Sequence, residues 1–189
     1  MSQANALAQP GRVNGVDVGA LFNVIKAIQA DPGLARFNFR ASNQWQGCEK
    51  TRTTIKDFTG ARQTHRSNGP SFVVDSGEPP VLLGEDRAPN AGEYLLHTLA
   101  SCITTSIAYH AAANAVEIEA IDSDLEGDVD LRGFLGLSSD VRKGFSDIRV
   151  RMRVKTDARA NRIREFASMS PMLEMVSKAT PVALEIETY

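Results

Sequence analysis

Cys102 is the residue whose type and position could support nucleophilic chemistry. It lies in the stretch 90–113, which carries no Asp, Glu, Lys or Arg after Glu93. At about 100° per residue, a helix over this stretch places hydroxyl groups on the side of the thiol, from Thr98, Thr105, Ser106 and Tyr109. Two interpretations are open: a buried cysteine that packs as a small hydrophobe, or a reactive thiol in a half-polar setting.

The reactive form of a cysteine is the thiolate, and burial inside an apolar helix disfavours that charged form. A reactive Cys102 therefore needs a nearby hydrogen-bond donor or cation. One of the four hydroxyls, or an arginine from a crossing strand, is a candidate for this role. Four arginines could supply such a cation: Arg40, Arg52, Arg66 and Arg87. For each of them, a solvated surface charge is the more common role of an arginine in a folded protein.

The remaining potential ligands and nucleophiles form no motif. Cys48, the second of two cysteines, belongs to no CxxC pair and follows Gly47 in a polar stretch, which favours an incidental free thiol. Among the three histidines, His97 and His110 are thirteen residues apart, too far to share a metal within one helix. The sequence therefore predicts no metal and no cofactor.

Length, charge and the N-terminal segment limit the class of protein. A chain of 189 residues suits one domain with a real core, and a net charge of −2 predicts no affinity for nucleic acid or membrane. Residues 1–15 lack both an apolar signal-peptide core and a periodic apolar pattern. We therefore expect a flexible arm over residues 1–15, a single domain over residues 16–189 and a cytoplasmic location.

The stretch 90–113 is predicted to be the central helix. Asn90 can cap the first free backbone N–H groups, and Glu93, three residues later, can reach back to Asn90 as in a capping box. The helix is apolar almost all round, so it belongs in a protein interior. Its Ser, Thr and His residues make it too polar to span a membrane.

The elements around this helix are mostly strands. Period-two alternation is clearest over residues 146–155, where Ile, Val and Met alternate with three arginines and a lysine. Further predicted elements are a helix over 16–29, strands over 36–41, 50–56, 71–75 and 116–131, and a loop over 60–70. Near the end, the sequence predicts a helix over 158–167 capped by Asp157, a turn of helix that starts at Ser170-Pro171, and a closing strand over 182–187. This order indicates an α+β fold with antiparallel sheets wrapped around a long helix.

These residues carry a resemblance to the OsmC/Ohr family. GEDRAPNAGEYLLHTLASC resembles the family motif in which an N-P-x-E type turn opens a long helix with a cysteine about three turns inside. The later segments EGDVDLRGFLGLSSDVRKGFSDIRVRMRVKTDA and SPMLEMVSKATPV are similar to the longer, OsmC-like branch. The resemblance covers Val13 to Tyr189 and implies an intertwined α+β homodimer whose cysteine-bearing helices pack back to back.

The resemblance also implies an activity and its residues. The best-known members reduce organic hydroperoxides with a thiolate, which then forms a disulfide with a second cysteine in a Cys-Pro pair. Cys102 matches the attacking cysteine, and Glu93 approximates the family's carboxylate, nine rather than ten residues before it. The second cysteine falls on Ser170, which has no sulfur, so the pattern is not that of a two-cysteine peroxidase.

Two functions remain open at this point. The first is a hydroperoxide reductase that uses Cys102 and an external thiol as reductant. The second is a non-catalytic OsmC-like protein that binds an apolar small molecule at the dimer interface.

Overall fold

The structure is a computed structural model, and it describes residues 11–66 and 68–178 together with Val182, Leu184 and Ile186. The chain divides into two compact units. One is Gly19–Leu95, and the other contains the described residues of Met1–Val18 and Leu96–Tyr189. The predicted α+β class with several antiparallel sheets and a long central helix is confirmed, whereas the homodimer stays a prediction.

The unit Gly19–Leu95 holds helix α1, at Val18–Ala30, and two three-stranded antiparallel sheets. The first sheet has the order β3-β6-β7, with strands at Phe37–Phe39, Phe58–Gly60 and Gln63–His65. The second has the order β4-β5-β8, with strands at Ser42–Trp45, Thr51–Ile55 and Phe72–Ser76. Short 3-10 turns lie at Pro32–Ala35 and Pro80–Leu82.

The loop predicted over residues 60–70 is wrong in part, because β7 lies inside it. His65 is paired with Phe58 in the ladder, and the two rings stack with centroids 4.8 Å apart. Cross-strand ring contact of this kind stabilises a pair of strands. Gln63 and Thr64 are polar, so the sequence shows no apolar alternation that would have predicted the strand.

The other unit begins with a hairpin of strands β1, Arg12–Val13, and β2, Val16–Asp17. Asn14, between them, has a left-handed φ of 54°. Its amide nitrogen donates to the carbonyl of Val116 (3.0 Å), and its side-chain oxygen accepts from the N–H of Ile118 (2.8 Å). The end of the predicted arm is therefore attached to this unit, while residues 1–10 lie outside the described residues.

Strands β9, Ala120–Asp128, and β10, Asp147–Lys155, form a long antiparallel pair. The register runs from Ala120 opposite Lys155 to Asp128 opposite Asp147, with the short helix α3, Leu131–Phe134, in the connection. The apolar side chains of β10 pack on the core as the alternation predicts, at Ile148, Met152 and Val154.

The cationic face of β10 faces acids of β9 and its neighbours. Arg149 bonds Glu126 (2.6 Å) and Asp128 (2.5 Å), and Arg153 bonds Asp124 (2.6 Å). Lys155 is paired with Glu119. These pairs depend on the register of β9 against β10, which the alternation within β10 does not encode.

Two short helices follow β10: α4, Ala160–Ala167, and α5, Pro171–Ser177. The predicted cap at Asp157 is wrong, because Arg159 holds the N-cap position without a side-chain bond. Thr156 explains the later start, since its hydroxyl accepts from the N–H of Ala158 (3.3 Å) and donates to the carbonyl of Glu117 (2.6 Å). The closing strand predicted over residues 182–187 falls largely outside the described residues.

Candidate functional site

The central helix, α2, spans Ala91–Ala113, and its first turn is closed by the predicted capping box. The backbone N–H of Glu93 donates to the Asn90 side-chain oxygen (2.9 Å), and the Glu93 carboxylate accepts from the backbone N–H of Asn90 (2.8 Å). The box satisfies two of the N–H groups that a helix start leaves free. The Glu93 carboxylate is thus held by the backbone of its own helix.

One face of α2 forms the hydrophobic core of the unit that contains Leu96–Tyr189. Leu99, Ile103 and Ile107 follow each other at intervals of four residues and are almost fully buried. They cluster with Ile163 and Phe166 of α4. This contact fixes the rotation of α2 and so decides which side chains face away from the core.

Cys102 lies beside this core face of α2, about 100° around the helix from Ile103, and it is half-buried. With its neighbours at intervals of three and four residues it forms what we term the thiol stripe: Leu95, Thr98, Cys102, Thr105 and Tyr109. Leu95 is 37% exposed and Tyr109 50% exposed, and both threonines are also exposed. The thiol is therefore partly accessible, next to hydroxyl groups and two large side chains.

The four hydroxyls differ in what they can offer the thiol. Thr105 donates its proton to the carbonyl of Ser101 (2.9 Å), one turn back in the helix, so it is not a free donor. Ser106 is half-buried beside the thiol stripe. Within the described chain no side-chain hydrogen bond engages the hydroxyls of Thr98, Ser106 and Tyr109, which leaves these three hydroxyls as donors for a ligand or a thiolate.

Glu93 is nine residues before Cys102 on the same helix. An α-helix rises 1.5 Å per residue, so the two positions are separated by about 13.5 Å along the axis. At about 100° per residue, a nine-residue offset also turns Glu93 to the opposite side of α2. Within one chain, capping is the role that the observed bonds give to this carboxylate.

The four candidate arginines all belong to the unit Gly19–Leu95. Arg52 forms a double hydrogen bond with Asp75 (2.7 and 2.8 Å), which lowers the pKa of that carboxyl. Arg87 pairs with Glu85 (2.8 Å). The guanidinium of Arg66 lies over the ring of Phe58 at 4.8 Å. Arg52 and Arg87 are thus already bound to carboxylates, and the guanidinium of Arg66 contacts an aromatic ring.

Cys48 lies at the exposed tip of the β4–β5 hairpin with a left-handed φ of 50°. A hydrogen bond between its thiol and the Glu49 carboxylate raises the pKa of Cys48. The thiol is therefore held in its protonated, less nucleophilic form. This agrees with the interpretation of Cys48 as an incidental free thiol.

Ser170, at the position of the family's second cysteine, is 1% exposed. It is the N-cap of α5, and its hydroxyl accepts from the backbone N–H of Leu173 (3.2 Å). Pro171 follows at the first helical position, as the sequence predicts. The residue therefore has a capping role in this chain.

The sequence did not predict a cavity of about 600 Å³ in the unit that contains Leu96–Tyr189. It lies between β10 and α4, and only tertiary packing reveals it. Its wall includes Ile107, Val150, Arg151, Met152, Val154, Thr156, Ile163, Arg164 and Ala167. Across the described residues, no cluster of three or more His, Cys, Asp or Glu could hold a metal, and no helix is long and apolar enough to cross a bilayer.

Comparison with known proteins identifies the family. Residues 84–185, more than half of the chain, match the family model described as OsmC-like protein. No protein with curated annotation matches the chain in sequence.

Two solved structures share the fold. An OsmC-like protein from Mycoplasma pneumoniae superposes with a TM-score of 0.55 at 12% identity, over 75% of this chain and 89% of its own. A Psychrobacter arcticus 273-4 protein, provisionally named an osmotic stress induced and detoxification response protein, superposes with a TM-score of 0.52 at 15% identity, over 71% and 85%. The match over residues 84–185, which includes the thiol stripe, shows that this chain belongs to the OsmC-like protein family.

Proposed function

We propose that this protein is a stress-response enzyme, a thiol-dependent organic hydroperoxide reductase of the one-cysteine type. The observation that carries the proposal is the placement of Cys102. A cysteine that merely fills space would be expected on the core face with Leu99 and Ile103. Cys102 is instead half-buried at the margin of that face, beside hydroxyl groups that can donate to an anion.

The reaction follows from the nucleophile. The Cys102 thiolate attacks the distal oxygen of ROOH, the O–O bond breaks, and the alkoxide takes a proton and leaves as ROH. The sulfur is thereby oxidised to a sulfenic acid. A first external thiol attacks it, which gives a mixed disulfide and water, and a second external thiol restores Cys102 and leaves as the external disulfide.

The external reductant follows from the residues that would otherwise resolve the sulfenic acid. Ser170 carries no sulfur, and its hydroxyl caps α5. Cys48 is held protonated by Glu49, which makes it a poor attacking group. The proposal therefore assigns regeneration to a small external thiol.

A homodimer would complete the site. The thiol stripe has the three- and four-residue spacing of a helix–helix contact, and exposed large apolar side chains lie along it. Pairing two such stripes would bury Leu95 and Tyr109 and enclose both thiols in an apolar interface. Apolar peroxides are the substrates that such an enclosure favours.

The test is the consumption of cumene hydroperoxide by reduced protein with dithiothreitol as the external thiol. We expect peroxide loss that depends on protein concentration, that falls to the background rate in Cys102→Ser, and that is unchanged in the matched control Cys48→Ser. A wild-type rate equal to that of Cys102→Ser would end the enzyme proposal.

The second candidate is a non-catalytic OsmC-like protein that binds an apolar small molecule at the dimer interface. It is favoured by the Glu93 carboxylate, which the capping box holds away from Cys102. This candidate predicts background peroxide consumption together with an apolar probe, such as a naphthalene sulfonate dye, that binds the dimer equally in wild type and in Cys102→Ser.

A further inference from the structure

The pairing of β5 and β6 with β7 and β8 is interrupted by a large bulge. Phe58 is paired with His65 on one side of the interruption, and Ile55 is paired with Phe72 on the other. Two residues of the first strand segment therefore lie opposite six of the second. Such bulges redirect side chains and are common beside functional sites. The longer side begins at Arg66, which has a left-handed φ of 64°.

The side chain of Arg66 lies between two aromatic rings, one from each of the two sheets. Its guanidinium carbon is 4.8 Å from the centroid of the Phe58 ring and 5.3 Å from that of Phe72. Rings that cover the faces of a guanidinium leave the N–H groups in its plane free, and these groups match a carboxylate in a bidentate way. The contact with the rings thus orients the donors of Arg66 without using them.

Two charged side chains face each other at the start of the bulge without forming a bond. Asp57 directly precedes Phe58 and Arg66 directly follows His65, so the two hold the next position of the same ladder. The Oδ1 atom of Asp57 and the Nε atom of Arg66 are both buried and have no hydrogen-bond partner among the described residues. Buried polar atoms of this kind are costly, and native structures nearly always supply a partner for them.

The partner that satisfies both atoms must accept from a guanidinium and donate to a carboxylate. A simple anion would be repelled by Asp57 and a simple cation by Arg66. An α-amino acid carries a carboxylate and an ammonium on the same carbon atom, so it can bind both side chains at once. Phe72 is 56% exposed, and Phe39, whose ring centroid is 5.3 Å from that of Phe58, is 71% exposed. These rings offer contact area to an aromatic side chain.

We propose that Asp57, Phe58, Arg66 and Phe72 form a binding site for an α-amino acid with an aromatic side chain. The carboxylate of the ligand accepts from Arg66, its ammonium donates to Asp57, and its ring lies against Phe72. This site is made entirely of residues in the unit Gly19–Leu95. It does not depend on the reactivity of Cys102.

NMR titration of the isotope-labelled full-length protein tests the proposal with L-phenylalanine and two truncated probes. Phenylpropionate lacks the ammonium, and phenylethylamine lacks the carboxylate. We expect L-phenylalanine to shift the amides of Phe58 and His65 saturably, with a Kd at least about tenfold lower than that of either truncated probe. A water molecule that alone bridges Asp57 and Arg66 would leave all three probes without a saturable shift, which would overturn the proposal.

Two variants assign each charge of the ligand to one side chain. Arg66→Met, which keeps a long side chain between the rings, should weaken L-phenylalanine about tenfold and leave phenylethylamine unchanged. Asp57→Asn should weaken L-phenylalanine about tenfold and leave phenylpropionate unchanged or bound more tightly. The truncated probe that still binds also shows that the variant is folded.

The matched control is Arg62→Met, which removes an arginine of the same hairpin that is paired with Asp31. It should leave the Kd of every probe unchanged. Phenylpropionate that binds the wild-type protein as tightly as L-phenylalanine would contradict the role of Asp57. Equal losses for all probes in a variant whose chemical-shift dispersion matches that of the wild type would contradict the pairwise assignment.

Discussion

At the scale of single residues, Glu93 shows how one side chain can satisfy two different patterns. The family motif suggests a catalytic carboxylate, whereas the bonds to Asn90 show a capping box. The two roles respond differently to substitution, because a glutamine can accept the same backbone hydrogen bond but cannot act as a carboxylate.

We therefore predict that the free energy of unfolding of Glu93→Gln and its rate of peroxide consumption both stay within about twofold of the wild-type values. Glu93→Ala should lose about 1 kcal/mol of stability, because the N–H of Asn90 loses its acceptor. Urea unfolding and peroxide consumption measured on the same preparations test this. A large loss of activity in a stable Glu93→Gln would instead assign the carboxylate to the chemistry.

Ser170 gives a second prediction at this scale. Ser170→Ala removes the hydroxyl that accepts from Leu173 and should lower the free energy of unfolding by about 1 kcal/mol. Ser177→Ala, at the exposed end of the same helix, should change it by less than about 0.5 kcal/mol. Chemical denaturation of both variants makes the comparison, and equal effects would contradict a capping role for Ser170.

At the scale of elements, the sequence predicts those whose pattern is local and regular. The strict alternation of β10 and the caps at Asn90 and Ser170 lie within a few residues of the features that they determine. β7 could not be predicted in this way, because its pairing depends on Phe58 in another strand. The start of α4 depends on a contact between Thr156 and Glu117, which are 39 residues apart.

The same distinction between local patterns and long-range contacts applies to the candidate site. The side of α2 that carries Cys102 follows from the helical period, so the sequence indicates which residues share that side once the helix is known. Which face of α2 the chain buries depends instead on how the helix packs against α4, and this is a tertiary contact that a local pattern does not encode. The carboxylate partner of Arg52 is likewise set by a tertiary contact, because Asp75 lies on another strand, 23 residues further along the chain.

Asp130, the N-cap of α3, predicts that the stability of the fold depends on pH. Hydrogen bonds from the Arg132 side chain, with a further one from its backbone N–H, lower the pKa of Asp130 to about 2. A carboxyl with a lowered folded-state pKa stabilises the fold above its unfolded pKa of about 3.9, and this contribution is lost as the pH falls toward about 2. In Arg132→Met the carboxyl should titrate closer to about 3.9, which carbon-detected NMR of the Asp130 side chain measures. An unchanged midpoint would show that Arg132 does not hold the carboxylate in solution.

At the scale of the whole molecule, the exposed thiol stripe predicts association. We expect a sedimentation mass of about twice the 20.5 kDa of one chain at micromolar concentration. Leu95→Asp and Tyr109→Asp should each shift the mass toward one chain, because a charge in an apolar helix contact is unfavourable. Val81→Asp, at an apolar position on another segment that is 85% exposed, is the control and should leave the mass unchanged. A single-chain mass for the wild-type protein would contradict the homodimer.

The two hydrogen bonds of the Asn14 side chain determine when this part of the fold can form during synthesis. Its partners, Val116 and Ile118, are 102 and 104 residues further along the chain. During synthesis from the N-terminus, the contiguous unit Gly19–Leu95 is complete before either partner has been added. The other unit must wait for them, and at about 5–20 residues per second the delay between Asn14 and Ile118 is roughly 5–20 s. Asn14 is therefore made early but is among the last of the described residues to reach its native contacts.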